Sequence, residues 1–164
     1  MNIHYEFTKE DYWKLNRDII MMMPSYRLML LAVLIGSPIL FTVVLSYRFT
    51  LGVSIGISIL LVMLVGLYIF YSVRGKIMRY AKTNPHVIGS RSIEISSDGV
   101  RDHSNDKESF QRWSDIKNIA DRPDHILLMM NPTTVICVPK HAFANEDEAK
   151  RFYELAATYQ KAAS

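Results

Sequence analysis

The sequence has a single cysteine, and it lacks the residue spacings that most catalytic and metal-binding motifs require. Cys137 alone cannot form an internal disulfide, so the chain fits a reducing compartment. None of the histidines pairs with this cysteine or with another histidine at a zinc-ligand spacing. There is no G-x-S-x-G motif, no phosphate-binding glycine loop and no kinase signature. These absences predict a protein that is not an enzyme and that binds no cofactor or metal.

Charge is missing from two long stretches of the chain. The apolar runs at 28–47 and 51–71 contain no Asp, Glu, Lys, Arg or His, and only three residues separate them. An α-helix of about 20 residues crosses the hydrocarbon core of a bilayer, and both runs have that length. We therefore expect a transmembrane helical hairpin with the lipid bilayer as its partner. A transport function is disfavoured, because transport pathways usually need ionisable groups.

The distribution of basic residues predicts how the hairpin is oriented. Four Lys and Arg residues precede the first run, four follow the second, and the connecting loop has only Arg48. The positive-inside rule therefore predicts that both termini are cytoplasmic. Residues 1–82 contain nine Lys and Arg against four Asp and Glu, whereas residues 83–164 contain ten against twelve. The basic residues thus flank the membrane, which favours anionic lipid and disfavours a nucleic-acid partner.

Small residues recur four positions apart in both apolar runs. The first run has Ala32 and Gly36, and the second has Gly52 and Gly56. Small residues at this spacing let helix backbones approach closely, so they are candidate helix-packing residues. Two alternatives follow: the spans pack against each other within one chain, or they mediate a homodimer.

The first 25 residues predict a short strand followed by an amphipathic helix. Ile3, Tyr5 and Phe7 alternate with polar residues, which indicates a strand at 3–7 with one apolar face. Thr8 and Asp11 have the spacing of a helix capping box, and Pro24 is expected to end the helix. Residues 8–23 either lie in the lipid headgroup layer or pack on the soluble domain. The strand needs a sheet to join, because one isolated strand is not stable.

The composition changes after residue 82, where short strand patterns alternate with turn residues. The predicted strands are 91–96, 100–104, 107–113, 116–121, 125–130 and 134–139. Asn145 and Glu148 then begin an amphipathic helix. This order predicts an α+β cytoplasmic domain with a PH-like antiparallel sheet or barrel capped by a C-terminal helix. Lys140 and His141, between the last strand and this helix, are candidates for contact with an anion or a partner. The predicted organisation is therefore 1–25, a hairpin at 26–82 and a PH-like domain at 83–164.

Several short motifs resemble the YcxB-like bacterial family. The motifs are Tyr5-Glu6-Phe7-Thr8-Lys9-Glu10-Asp11-Tyr12, Ser92-Ile93-Glu94-Ile95 with Asp98-Gly99-Val100, Trp113-Ser114-Asp115-Ile116, and Val138-Pro139-Lys140-His141-Ala142-Phe143. The resemblance implies a bacterial inner-membrane protein with two spans and a cytoplasmic PH-like domain. It implies no catalytic residues.

These observations favour a non-enzymatic, membrane-anchored interaction module that binds a protein partner. An alternative, suggested by size and topology alone, is an immunity protein that protects against a toxin acting at or through the membrane; its protein partner would then be that toxin. A third hypothesis, an enzyme acting on lipid, would depend on His4 or His86, the histidines nearest the predicted membrane segments.

Overall fold

The computed structural model describes residues 1–104, 107–131 and 134–163, and the chain forms two compact units. Met1–Leu15 and Tyr80–Ser164 form one unit, called here the sheet unit, and Asn16–Arg79 form the other, the helical unit. The elements in chain order are β1 (Asn2–Phe7), α1 (Lys9–Met22), α2 (Pro24–Ser46), α3 (Leu51–Thr83), β2 (Gly89–Ile95), β3 (Gly99–Ser104), β4 (Lys107–Arg112), β5 (Asn118–Asp121), β6 (His125–Met129), β7 (Val135–Pro139) and α4 (Glu146–Ala163). Short 3-10 helices lie at Pro85–Val87, Trp113–Asp115 and Lys140–Ala142.

The strands form two antiparallel sheets, which confirms the predicted antiparallel architecture but not its closed form. One sheet has the order β1-β2-β3-β4 and the other β5-β6-β7. The described residues do not close into a barrel, because β4 pairs only with β3 and β5 only with β6. The 3-10 helix Trp113–Asp115 interrupts the chain between these two strands. The sequence also predicts turns at Asn105-Asp106 and at Asn131-Pro132-Thr133; the first, and the last two residues of the second, lie outside the described residues.

Strand β1 forms an edge of the first sheet, so it joins a sheet as an isolated strand was expected to do. It pairs antiparallel with β2, from Asn2 opposite Glu94 to Phe7 opposite Gly89. Ile3, Tyr5 and Phe7 are buried, whereas the residues between them are exposed. Apolar side chains at alternate positions thus place one face of β1 in the core. The N-terminal strand and the C-terminal domain therefore share a single sheet.

Helix α1 begins where the capping residues predict and ends before Pro24. Its first half belongs to the sheet unit, where Trp13 is buried and the ring of Tyr12 stacks on that of Tyr80 at 6.2 Å between centroids. For residues 9–15 these contacts favour the alternative in which the helix packs on the sheet unit over the one in which it lies in the lipid headgroup layer. The second half of α1 belongs to the helical unit.

The helical unit contains two helices that are long and apolar enough to cross a membrane. Helix α2 has 23 residues and α3 has 33, so α3 continues well past the end of the predicted second span. Most of their apolar side chains are exposed along both helices, and α2 has no buried residue. A surface of this kind is suited to lipid, because large contiguous apolar surfaces are rare on proteins surrounded by water.

Helix α4 completes the sheet unit with an apolar face that packs into the core. Asn145 caps the helix by accepting a hydrogen bond from the Glu148 N–H at 2.9 Å. Ala149, Phe152 and Ala156 are buried on the inner face. The ring of Phe152 meets that of Phe143 edge to face, with 5.3 Å between centroids.

Candidate functional site

The two candidate contact residues, Lys140 and His141, both lie on the 3-10 helix that follows β7. The Lys140 ammonium lies 2.7 Å from a carboxylate oxygen of Asp121. The His141 Nε2 lies 3.1 Å from both carboxylate oxygens of Asp11. Each of the two candidates thus faces a carboxylate of its own chain. An external anion would compete with these carboxylates, so the arrangement disfavours an anion site.

Asp11 is buried and completes the capping box that the sequence predicts. The Thr8 N–H and hydroxyl donate to its Oδ2 at 2.9 and 2.7 Å, and the Asp11 N–H donates to the Thr8 hydroxyl oxygen at 3.2 Å. Burial alone would raise the pKa of Asp11, but the hydrogen bonds from Thr8 and His141 outweigh it and hold this pKa below its usual value. The carboxylate therefore links the start of α1 to the 3-10 helix after β7.

Two further ion pairs continue the same contact region. The Lys14 ammonium donates to Asp124 at 2.7 Å, and this hydrogen bond is the main reason that the pKa of Lys14 is raised. The backbone N–H of Lys140 donates to the Asp124 carbonyl at 2.9 Å. We call the three pairs Asp11–His141, Lys14–Asp124 and Lys140–Asp121 the ion-pair seam. The seam joins α1, the β5–β6 turn and the segment after β7.

A groove of about 690 Å³ lies beside Lys140 on the surface of the sheet unit. Its walls come from the β5–β6 turn, the segment before α4 and the first turns of α4. The charged residues that line it are Asp121, Lys140, Glu146, Asp147, Lys150 and Glu154. Four carboxylates against two ammonium groups make the groove acidic, which further disfavours an anionic ligand.

The candidate helix-packing glycines face open space in the helical unit. A methyl group added at Gly36, Gly52 or Gly56 would meet no other heavy atom within 4 Å. Ser54 and Ser58 are fully buried instead. At 100° per residue they lie on the opposite side of α3 from Gly52 and Gly56. These glycines therefore mediate no close helix approach within the chain, and a packing role for them, with Ala32, stays a prediction.

A buried polar group on the inner face of the first sheet was not predicted from sequence. The Arg91 guanidinium lies over the ring of Phe7, 4.6 Å from its centroid, and donates to the Val87 carbonyl at 3.2 Å. Burial raises the pKa of Asp102, and the nearby Arg91 only partly offsets this. The Tyr5 hydroxyl donates to the Cys137 carbonyl at 2.9 Å and so connects the two sheets. The one signal in the sequence that could have revealed this group is that Arg91 and Asp102 are charged residues at strand positions that alternation assigns to the buried face.

Cys137 is buried on β7, as expected for a core residue. In the described part of the chain, no group of three or more His, Cys, Asp or Glu side chains is placed to hold a metal ion.

The fold and the contacts above define a class: a two-sheet domain with a C-terminal helix, joined to two helices apolar enough for a membrane.

The comparisons with known proteins assign a family to the core of the sheet unit. The family described as YcxB-like protein matches residues 95–156. This segment runs from the last residue of β2 through β7 and into α4. The match identifies it as a YcxB-like domain and confirms the family resemblance. No curated protein and no solved structure matches the chain.

The ion-pair seam yields a pH-dependent stability prediction. Asp11→Asn should lower the free energy of unfolding by about 1–3 kcal/mol at pH 7, because a neutral amide replaces the carboxylate that accepts the charge-assisted hydrogen bonds from Thr8 and faces His141. The pKa of Asp11 is depressed in the folded state, so its contribution is full above the ordinary value of 3.8 and is lost as pH falls through the lower folded value. Thermal unfolding followed by tryptophan fluorescence at several pH values measures this.

The matched control is His141→Gln, which keeps the cap and removes only the ion pair. His141→Gln should lower the free energy of unfolding by less than Asp11→Asn does, because the His141 side chain is 53% exposed. A difference between the unaltered chain and Asp11→Asn that persists unchanged at pH 2 would contradict the assignment.

Proposed function

We propose that the protein is a non-enzymatic, membrane-anchored interaction module. Helices α2 and α3 span the bacterial inner membrane with both termini in the cytoplasm, and the sheet unit is a PH-like domain that binds a protein partner at the inner face. The observation that carries the proposal is the exposed apolar surface along both helices. The backbone N–H and C=O groups of such segments form hydrogen bonds within the helix. A lipid environment requires this, because it offers no water as an alternative partner.

Charge placement supports the orientation. The residues that join α2 to α3 include one basic residue, Arg48, whereas Arg74, Lys76 and Arg79 follow the apolar part of α3. Basic residues are retained on the cytoplasmic side during insertion. Both ends of the hairpin therefore belong on that side, together with the sheet unit to which they are connected.

The contacts of the sheet unit favour binding over chemistry as its role. Two of the charged side chains that line the groove, Asp121 and Lys140, pair with each other in the ion-pair seam, which holds elements together. The groove beside them combines the apolar side chains of Pro123 and Phe143 with carboxylates of α4. A surface of this composition is suited to a protein segment with basic and apolar side chains.

Membrane extraction and cysteine labelling test the anchor and its orientation. The chain should stay in the membrane pellet at alkaline pH. Thr50→Cys, between the two helices, should react with an impermeant maleimide added to intact spheroplasts, whereas Ser97→Cys, in the β2–β3 turn, should react only after lysis. The unaltered chain is the control, because its single cysteine is buried.

The opposite labelling pattern would refute the orientation, and release of the chain into the alkaline supernatant would refute the anchor. Crosslinking in native membranes followed by mass spectrometry then identifies the partner. Recovery of a toxin, together with protection of cells on expression, would favour the alternative function as an immunity protein.

A further inference from the structure

Strand β4 forms an open edge of the first sheet. It pairs with β3 on one side, from Gly99 opposite Arg112 to Ser104 opposite Lys107, and no other described strand pairs with it. Glu108, Ser109 and Phe110 are all exposed. An edge strand of this kind presents a row of backbone N–H and C=O groups that another strand can pair with.

The other three sheet edges each have at least one contact with a further element of the same chain. The 3-10 helix Lys140–Ala142 contacts β1, and α4 contacts β5. The carbonyl of Cys137 on β7 accepts the hydrogen bond from Tyr5. In the described residues, β4 makes extensive contacts only with β3.

Phe110 is an exposed aromatic residue on this open strand. Its side chain is 45% exposed, although the other large apolar side chains on the described strands are buried or half-buried. One side of the ring lies across Gly99, where an added methyl group would come within 2.8 Å of it. The Arg101 guanidinium lies 5.8 Å from the ring centroid. The ring is thus held in place while part of its apolar surface remains open, which lowers the entropy cost of covering it.

We propose that β4 pairs antiparallel with β4 of a second copy of this chain, in a register centred on Phe110. The two four-stranded sheets would then form one continuous sheet by strand addition. Six residues is an ordinary length for a strand, and this register pairs five of them, residues 108–112, with the same five in the other copy.

The charge sequence of β4 selects this register. Centring the pair on Phe110 places the two Phe110 rings opposite each other and Glu108 of each copy opposite Arg112 of the other. These three positions lie on one face of the strand, so the pairing covers the exposed aromatic surface and forms two opposite-charge pairs. Glu108 and Arg112 are both exposed. Within its own chain Glu108 also lies 3.7 Å from the Arg101 guanidinium and 3.8 Å from the His103 Nε2, so its carboxylate would be shared between these groups and Arg112 of the second copy.

Disulfide formation in native membranes tests the register. Directly opposed residues in an antiparallel pair have Cα atoms about 4.5–5.5 Å apart, which matches a disulfide. Oxidation of the Phe110→Cys full-length chain should therefore give a disulfide-linked homodimer. Ser109→Cys alone should give none, because its own copy lies about 8 Å away. Co-expressed Ser109→Cys and Gln111→Cys chains, distinguished by tags, should crosslink to each other.

The same experiment has outcomes that would overturn the proposal. These are a homodimer from Ser109→Cys but not from Phe110→Cys, no dimer from any of these variants, or a Phe110→Cys crosslink only to a different protein. Tryptophan fluorescence melting of each variant shows that the sheet unit is folded, so a missing crosslink cannot be attributed to unfolding.

A charge exchange gives an independent test. Glu108→Arg and Arg112→Glu each place like charges opposite each other twice, so each chain alone should dimerise about 10-fold more weakly. Mixing the two chains restores both opposite-charge pairs and should return the dimer to at least its original affinity. Equal dimerisation of all four samples would overturn the register. Fluorescence energy transfer between labelled chains in mixed liposomes measures the dimer fraction.

Discussion

Replacing Phe7 by alanine is expected to lower the free energy of unfolding of the sheet unit by about 3–5 kcal/mol. Phe7 is 1% exposed, its ring meets that of Tyr5 at 6.5 Å, and the Arg91 guanidinium lies 4.6 Å from its centroid. The change creates a cavity and removes a cation–π contact at a partly buried arginine. For a unit of about 100 residues, the melting temperature should fall by about 10 °C or more.

Tryptophan fluorescence measures this loss in the sheet unit alone. The chain has two tryptophans, Trp13 and Trp113, which both lie in that unit and are 6% and 2% exposed. The matched control is His4→Ala, on the exposed face of the same strand, which should change stability by less than about 0.5 kcal/mol. Equal melting temperatures for the two variants would show that β1 is not part of the cooperative core.

The Phe7 prediction depends on an unusual order of elements along the chain. β1 pairs with β2, and both helices of the helical unit lie between them in sequence. The boundaries between the units fall inside α1 and α3, so both connections are helical. The proposed anchor is thus inserted into the domain that it carries. The sheet is completed only when residues on both sides of the hairpin have been synthesised.

Local patterns predicted most elements of the fold because their signals lie within a few residues. Alternation at Ile3, Tyr5 and Phe7 predicted β1, and Thr8 with Asp11 predicted the start of α1. Turn residues separated the six later strands. The pairing of β1 with β2 could not be derived, because alternation shows that a strand has a buried face but does not identify its neighbour. The open arrangement of the two sheets is likewise a non-local property.

The candidate site was predicted less well, for the same reason. Lys140 and His141 were recognised as candidates for contact with an anion or a partner, but the carboxylates that they face come from elsewhere in the chain. His141 faces Asp11, 130 positions away, and Lys140, which follows β7, faces Asp121 at the end of β5. Sequence spacing cannot predict such pairs. The glycine spacing in the spans was visible in the sequence, but which side of α3 faces α2 depends on packing.

Replacing Phe152 by alanine is expected to lower the free energy of unfolding by about 3–5 kcal/mol as well. Phe152 is fully buried and is the largest side chain on the inner face of α4. Its loss leaves a cavity beside Phe143 and removes the main apolar contact that holds the helix on the sheets. Trp113 reports this directly, because its ring lies 5.7 Å from that of Tyr159 on α4. Its emission should shift to the red at a lower temperature than in the unaltered chain.

The controls separate burial from helix propensity at this position. Lys150→Ala, on the exposed side of α4, should leave the melting temperature within about 2–4 °C of the original value. Phe152→Leu should recover more than half of the loss, because it refills most of the cavity with apolar volume. If Phe152→Ala melts like Lys150→Ala, then α4 does not contribute to the cooperative core. Stability would then come from the sheets and the ion-pair seam alone, and truncation before Glu146 should leave the tryptophan transition unchanged.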